Sequence, residues 1–307
     1  MTRVFRDGRV YRGDLGASAR KAHRTRRQAE LDAGKTLSKR TIGVEIEYHS
    51  EFPVTKLRVA EALDVALGEH VHVTGYHGDT CLRCGGRVDY KKWKIEHDGS
   101  LHPQGRGLDS TTGEVVSPVL VGQKGIDTLK LVMKTLREAG ATIKPTCGLH
   151  VHVGVRDLDQ HGLSRLVRTW WTREVEFYSL IPKGRRRNGF CKPWRRAYSV
   201  PTATADRIIT GGAPSESWEK YTGLNLRPLA RLGTVEFRLH GGTLNGTKAE
   251  AWIQFLLGFV DAMTDRPTED TALDLPTGTT LWDYLVTEKY LPKKAGDKMS
   301  ARALQYR

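Results

Sequence analysis

The sequence predicts an α+β fold, a largely antiparallel sheet with flanking helices. Three observations predict it. Strand-like and helix-like segments follow one another without a regular β-α-β rhythm. The strand candidates alternate apolar and polar residues, as in a sheet with one buried face. The helix candidates carry apolar residues at 3.6-residue spacing.

The elements follow in chain order. Thr41 to Tyr48 alternates and is β-branched, so it reads as a strand. Lys56 to Leu67 sets Leu57, Ala60, Leu63 and Leu67 at helical spacing. Val71 to Tyr76 and Trp93 to Glu96 read as short strands around a turn at Cys81 to Gly86. Gly113 to Ser117 is a strand that Pro118 stops. Gly125 to Ala139 is an amphipathic helix with Gly140 as its stop. Leu149 to Val155 is a strand, and Ser164 to Leu180 a helix whose Trp170, Trp171 and Phe177 are packing residues. Pro182 to Ser217 is irregular, and loops this long usually carry function or move. Lys220 to Leu226 and Gly233 to His240 are strands, and Lys248 to Met263 is a helix.

These elements predict a single catalytic-type domain over residues 41–290, with a Cys-x-x-Cys insert at 76–92. A basic extension at 1–40, disordered or with a helix around Ala17 to Ala33, precedes it. A weakly patterned basic tail at 291–307 follows.

The 307 residues are 38% hydrophobic and 27% charged, as in an ordinary soluble protein. No apolar run approaches the roughly 18 residues that a membrane span needs. The first residues contain no apolar stretch of the secretory kind. The cytosol is therefore the expected location, with no membrane partner. Net charge is +14, and residues 1–40 hold 12 Lys/Arg against 4 Asp/Glu. Lys183, Arg185, Arg186, Arg187, Lys192, Arg195 and Arg196 form a second basic cluster. Such segments attract phosphate, on a nucleic acid or a nucleotide.

Four cysteines are too few for a disulfide framework. Cys81-Leu-Arg-Cys84, followed by two glycines, is half of a zinc knuckle, which His70, His72, His77 or His97 would complete. The other reading is an inert reduced pair.

Three strands share a feature that points to chemistry. Side chains alternate across a strand, so Glu45 and Glu47 share one face while Val44, Ile46 and Tyr48 take the other. His150 and His152 repeat the pattern between Leu149, Val151 and Val153. Glu236, Arg238 and His240 repeat it again, although His240 could equally be held by backbone. Asp98 sits in an Asp-Gly-Ser turn, and Glu114 is one more strand carboxylate. Crowded carboxylates repel unless cations neutralise them. Mostly carboxylate donors with few imidazoles suit Mg²⁺ or Mn²⁺ rather than Zn²⁺. Such cations suit ATP, whose moving phosphoryl charge Arg238 would counter. No phosphate-binding glycine loop of the Walker or Rossmann type is present, nor a nucleophile elbow.

The motifs resemble those of the amidoligase family. They are Gly43-Val44-Glu45-Ile46-Glu47, Trp93 with Asp98-Gly99-Ser100-Leu101, and Glu114-Val115-Val116-Ser117-Pro118. Cys147 to Val153, Asn188 to Pro193, Tyr221 with Leu224-Asn225-Leu226, and Gly233 to Leu244 continue the match in order. The family is related to glutamine synthetase and γ-glutamylcysteine synthetase. The resemblance implies their catalytic fold, an antiparallel sheet cupping ATP and Mg²⁺. It implies a carboxylate–amine ligase that forms an amide through an acyl phosphate. By position in the motifs, Glu45, Glu47, Glu114, His150 and Glu236 are implied metal ligands, with Asp98 as a weaker companion. Arg238 is implied to face the phosphates, with His150 and Glu236 as its catalytic companions. Tyr221 and Asn225 are implied to line the substrate side, and Arg186 and Arg187 to belong to a phosphate flap. The Cys81/Cys84 insert and residues 1–40 fall outside the resemblance.

Two other readings use the same residues. A metal-dependent hydrolase would hold Zn²⁺ or Mn²⁺ without ATP. A basic nucleic-acid-binding protein would act through residues 1–40.

Overall fold

Ile42, Val44, Ile46 and Tyr48 are at most 3% exposed, and the strand that carries them, β3 (Thr41–His49), lies in the middle of an eight-stranded sheet. The computed structural model describes residues 2–4, 10–12, 38–101, 107–197, 219–264 and 271–307. Strands β1 (Thr2–Val4) and β2 (Val10–Arg12) form a separate antiparallel pair. The helix expected around 17–33 and most of the basic extension lie outside the described residues.

The large sheet adds β4 (His72–Val73), β5 (Lys94–Glu96), β6 (Thr112–Val116), β7 (Leu120–Val121), β8 (Gly148–Gly154), β9 (Leu224–Asn225) and β10 (Thr234–Gly241). Its order is β4-β5-β6-β3-β8-β10-β9, with β7 pairing the start of β3. Every pairing is antiparallel except β4 with β5. The expected α+β class with a largely antiparallel sheet is what the chain adopts.

One face of the sheet is the core. Val44, Ile46, Leu149, Val151, Val235 and Phe237 belong to one continuous apolar cluster. Helices close over it: α1 (Lys56–Leu67), α2 (Gly122–Glu138), α3 (Gln160–Ser179) and α6 (Gly246–Asp261). The short helices α4 (Trp194–Ala197) and α5 (Pro228–Leu232) lie between α3 and β10 in the chain. Thr55, Asp159 and Asn245 cap α1, α3 and α6 by accepting from Arg58, Gly162 and Lys248 amides. Each cap satisfies an amide that the helix leaves unpaired.

Arg40, which the sequence places in the extension, is 8% exposed. It grips Asp157 through two hydrogen bonds, Asp261 at 2.7 Å and the Gly154 carbonyl at 2.8 Å. It therefore ties the start of β3 to the end of β8 and to α6.

The chain beyond residue 280 differs from the expected tail. It forms α7 (Leu281–Thr287) and α8 (Lys293–Gln305), and α8 buries Ala295 and Met299 in the core. Small apolar residues between lysines bury little area each, so the stripe is faint in sequence. Among the described residues no helix is long and apolar enough to cross a membrane.

An aromatic knot joins α3, β10 and α6. The ring of Phe177 lies 4.5 Å from Trp170, 5.1 Å from Phe259, 5.2 Å from Phe255 and 6.4 Å from Phe237. Phe177→Ala is expected to lower the unfolding free energy by about 3–5 kcal/mol, read as an earlier midpoint in urea with unchanged slope. A loss under about 1 kcal/mol would show that these layers are not packed against one another.

Candidate active site

The other face of the sheet is polar and opens into a cleft of about 410 Å³. Strand pairing sets its residues in rows. Glu47 lies opposite Glu114, and Glu114 opposite Glu96. Glu45 lies opposite His150, while His152 pairs with both Gly43 and Glu236, and Glu236 with Asn225. Alternation within strands and register between them thus suffice to gather these groups.

His150 is the hub. Its Nδ1 lies 3.0 Å from Glu45 Oε2, 3.8 Å from Glu114 Oε1 and 3.9 Å from Glu236 Oε1. Its Nε2 lies 3.6 Å from Glu47 Oε1. His152 Nε2 is 3.3 Å from the other oxygen of Glu45. The Gly148 amide donates to Glu47 Oε2 at 2.5 Å, and Asn225 Nδ2 donates to Glu236 Oε2 at 2.6 Å. Arg238 pairs with the remaining oxygen of Glu236.

Two groups of donors lie close enough to share a cation: Glu45, His150 and Glu236, and then Glu47, Glu114 and His150. Like charges about 5 Å apart repel by roughly 3 kcal/mol at an effective dielectric constant near 20. The protonation preferences follow. Burial, then the charges of Glu45, Glu47 and Asp98, pushes the Glu114 carboxyl well above its ordinary value. Burial also works against ionised Glu45, but its hydrogen bonds to His150 and His152 outweigh it and hold Glu45 well below the usual range. Burial alone would lower His152, yet Glu45 and Glu236 carry it upward. Burial likewise opposes the charge on Arg238, and Glu236 and Glu45 overcome it.

The opposite wall is basic. Lys220, Arg227, Arg231 and Arg238 line it with Tyr221, Phe190 and Asn225. Tyr221 packs edge-on against Phe190 at 5.2 Å and lies under the Arg238 guanidinium at 5.9 Å. Asp98 lines the acidic end, its carboxylate accepting from the Ser100 amide and hydroxyl at 2.8 and 2.7 Å.

The structure therefore brings Glu45, Glu47, Asp98, Glu114, His150, Tyr221, Asn225, Glu236 and Arg238 to one cleft. It does not bring Arg186 or Arg187. The Arg186 guanidinium is held by the carbonyls of Ser179, Ile181 and Tyr306, and Arg187 is exposed away from the cleft lining. Arg185 is the member of that run that turns inward. It is 8% exposed and donates to the carbonyls of Cys147 and Arg238 at 3.4 and 3.3 Å. A Cβ on Gly148 would stand 2.6 Å from His150 Nε2 and 2.8 Å from Arg185 Nη2, so both side chains occupy space that only glycine leaves. Residues 198–217 of the expected flap lie outside the described residues.

His240 also leaves this face. A β-bulge shifts the register between Phe237 and His240, which then pairs with Leu149. Its ring meets Trp252 of α6, and its Nε2 lies 2.7 Å from Arg302 Nη1. Burial and Arg302 push its pKa down to about 3. It lines a larger cavity of about 550 Å³ beside α8, which no carboxylate lines. The acidic cleft, though smaller, holds the candidate chemistry. Cys147 is buried and its thiol is pushed upward, first by burial. That is the environment of an inert packing residue.

Sequence reasoning missed Glu96. It is 3% exposed, bonded to Lys94, and its Oε2 lies 3.3 Å from His77 Nδ1. The signal was available, since Glu96 alternates with buried Ile95 just as Glu45 does with Ile46. The basic wall from Lys220 to Arg231 was missed because its residues come from a turn and a short helix without periodicity.

A family model described as "Putative amidoligase enzyme" matches residues 38–260. Comparison with curated proteins gives no match. Among solved structures, the chain is similar to a crystal structure of a novel glutamine synthase homolog. The two are 14% identical, the match covers 94% of this chain and 70% of that one, and the TM-score is 0.40. It is also similar to glutamine synthetase of Plasmodium falciparum at 11% identity and a TM-score of 0.32. That match covers 84% of this chain and 58% of the other, less than two thirds of its length.

The crowding around Glu114 has a measurable consequence. In metal-free buffer at neutral pH, Glu114→Gln is expected to be more stable than wild type by about 1–4 kcal/mol, as when a buried charge is replaced by a neutral isostere. A raised carboxyl binds its proton more tightly when folded, so its penalty grows as pH rises above the ordinary value of 4.5. The gap should close in acid, where Glu114 is neutral in both states. Mn²⁺ should stabilise wild type more than the variant. Urea melts at several pH values, with and without Mn²⁺, check this. A variant no more stable than wild type at pH 8 would remove the crowding argument.

Proposed function

The chain belongs to the amidoligase family, and from that premise we propose that it joins a carboxylate to an amine using ATP. The terminal phosphoryl group of ATP passes to the substrate carboxylate, releasing ADP. The amine then attacks the acyl carbon, phosphate leaves, and the amine gives up a proton. The observation that carries this reading is the convergence of Glu45, Glu47, Glu114 and Glu236 on His150, across four strands and opposite a basic wall.

The donor set fits hard divalent cations. It is mostly carboxylate oxygen, and the raised Glu114 marks negative charge that its surroundings leave incompletely balanced. Glu45, Glu47, Glu114, His150 and Glu236 would hold Mg²⁺ or Mn²⁺, with Asp98 at the edge. Bound there, the cations would neutralise phosphate charge. Arg238, fixed by Glu236, would face the transferring phosphoryl group as a preformed positive charge. Lys220, Arg227 and Arg231 would attract the remaining phosphates. Asn225 orients Glu236 and is tied by its own oxygen to the Arg227 amide at 3.0 Å. Tyr221 and Phe190 would shield the reacting groups from water.

A metal-dependent hydrolase is the second reading, favoured by the imidazole present in both donor groups. It has no need of ATP, which separates the two. The nucleic-acid reading rests on residues 1–40, largely outside the described residues.

Calorimetry with ATP is the direct test. Wild type should bind ATP only when Mg²⁺ is present. Glu236→Gln should weaken binding tenfold or more, and Arg238→Lys should spare most binding while lowering turnover about 10²–10³-fold. Absence of binding by wild type, or equal binding by wild type and Glu236→Gln, would overturn the ligase reading.

A further inference from the structure

A second cluster of metal-type ligands lies outside the cleft. The turn between β4 and β5 returns Cys81 and Cys84 to His70 and His72, and one donor atom from each of the four lies within 4.8 Å of every other. Of the four histidines near the motif, the fold selects these two. His77 turns instead to Glu96.

The local geometry is that of a built site. Cys81 Sγ lies 3.6 Å from His70 Nε2. Ligands about 2.0–2.3 Å from a tetrahedral centre stand roughly 3.3–3.8 Å apart, so this spacing is already that of two ligands on one ion. The rings of His70 and His72 meet edge to face at 5.0 Å. His72 is 5% exposed; its Nε2 lies 3.2 Å from the Asp89 amide, and its Nδ1 has no hydrogen-bond partner. A buried ring nitrogen without a partner is costly unless something binds it. The thiols are free, with Cys81 buried and Cys84 exposed.

The turn is shaped to hold the sulfurs. The Cys81 amide donates to the Gly86 carbonyl, and the Gly85 amide to the Cys81 carbonyl, both at 2.8 Å. Gly85 has φ +70°, a left-handed conformation that glycine adopts at little cost. The amides of Val73 and Cys84 donate toward the Cys81 sulfur, as second-layer donors do around a metal thiolate. Arg83, between the cysteines, is clamped to Asp64 of α1 at 2.7 and 3.0 Å and to the Val71 carbonyl at 2.8 Å. The knuckle is therefore docked on the domain.

We propose that His70, His72, Cys81 and Cys84 bind one zinc ion as a closed structural site that fastens the β4 edge of the sheet. Two sulfurs and two imidazoles select a borderline-soft ion over Mg²⁺, the reverse of the carboxylate cleft. Four protein ligands leave no position open for substrate, so the ion is structural. Its consequence reaches the cleft through the chain itself. Tyr76 and His77 follow β4 directly, line the cleft, and place His77 against Glu96. The site is independent of the ligase reading and is tested separately from it.

The experiment is metal analysis of full-length protein purified without chelator, with three chains compared. Wild type should retain one zinc per chain through dialysis. Cys84→Ser, which removes an exposed ligand without opening the core, should lose it while circular dichroism stays unchanged. The Glu45→Gln/Glu236→Gln double variant should keep it. Cobalt substituted into wild type should give the absorption of a tetrahedral, thiolate-bound ion, weakened in Cys84→Ser. Cys81 and Cys84 should react with a thiol reagent only after chelation. Less than a tenth of an equivalent of zinc in wild type supplied with the metal would overturn the proposal. So would zinc that survives Cys84→Ser and is lost from the double variant.

Discussion

Four carboxylates converge on the imidazole of His150, and the sheet must keep them together although their charges drive them apart. The energy that holds them comes from the other face. Ile46 and Tyr48 flank Glu47 in sequence and lie on the opposite face, fully buried among the helices. A strand cannot turn its glutamate outward without pulling its apolar neighbours out of the core. Burial of one face thereby enforces crowding on the other. The backbone helps directly, since the Gly148 amide satisfies Glu47 and the glycine leaves room for His150 and Arg185.

The cleft is divided by charge. Its acidic floor comes from β5, β6, β3 and β8, and its basic wall from the β9 turn, α5 and Arg238. β10 is the seam, with Glu236 joining the floor and Arg238 the wall two residues later. A polyanion carrying cations matches this division better than a neutral ligand does. The far edge of the floor depends on two-residue β4 and the cysteine turn behind it, so the weakest part of the sheet is the part best served by a fastener.

Much of this was legible in the sequence for one reason. Alternation has period two, and where a strand follows it, facing can be read without coordinates. Glu45, Glu47, Glu114, His150 and Glu236 were found that way, and Glu96 was available by the same rule. What alternation cannot reach is chemistry carried by turns. Arg185, Arg186 and Arg187 are equivalent in sequence, and only the 3₁₀ turn at Arg185–Arg187 decides which one points inward. The partners of Cys81 and Cys84 were likewise undecided among four histidines until pairing of β4 with β5 fixed the return of the chain. Helix α8 was hidden because alanine and methionine among lysines carry a faint apolar stripe.

The bulge in β10 shows how one extra residue can partition a protein. Before it, alternate side chains serve the acidic cleft; after it, the strand runs in the opposite phase, and His240 joins Trp252 and Arg302 on the far side. Two cavities thus share a strand without sharing a face. The arrangement is sensitive to insertion and deletion in a way that substitution scanning would not reveal. Loss of a single residue between Phe237 and His240 would return the strand to phase, swing an imidazole toward the carboxylates and leave Arg302 facing an empty position. Length, not identity, is what this short stretch of chain has to preserve.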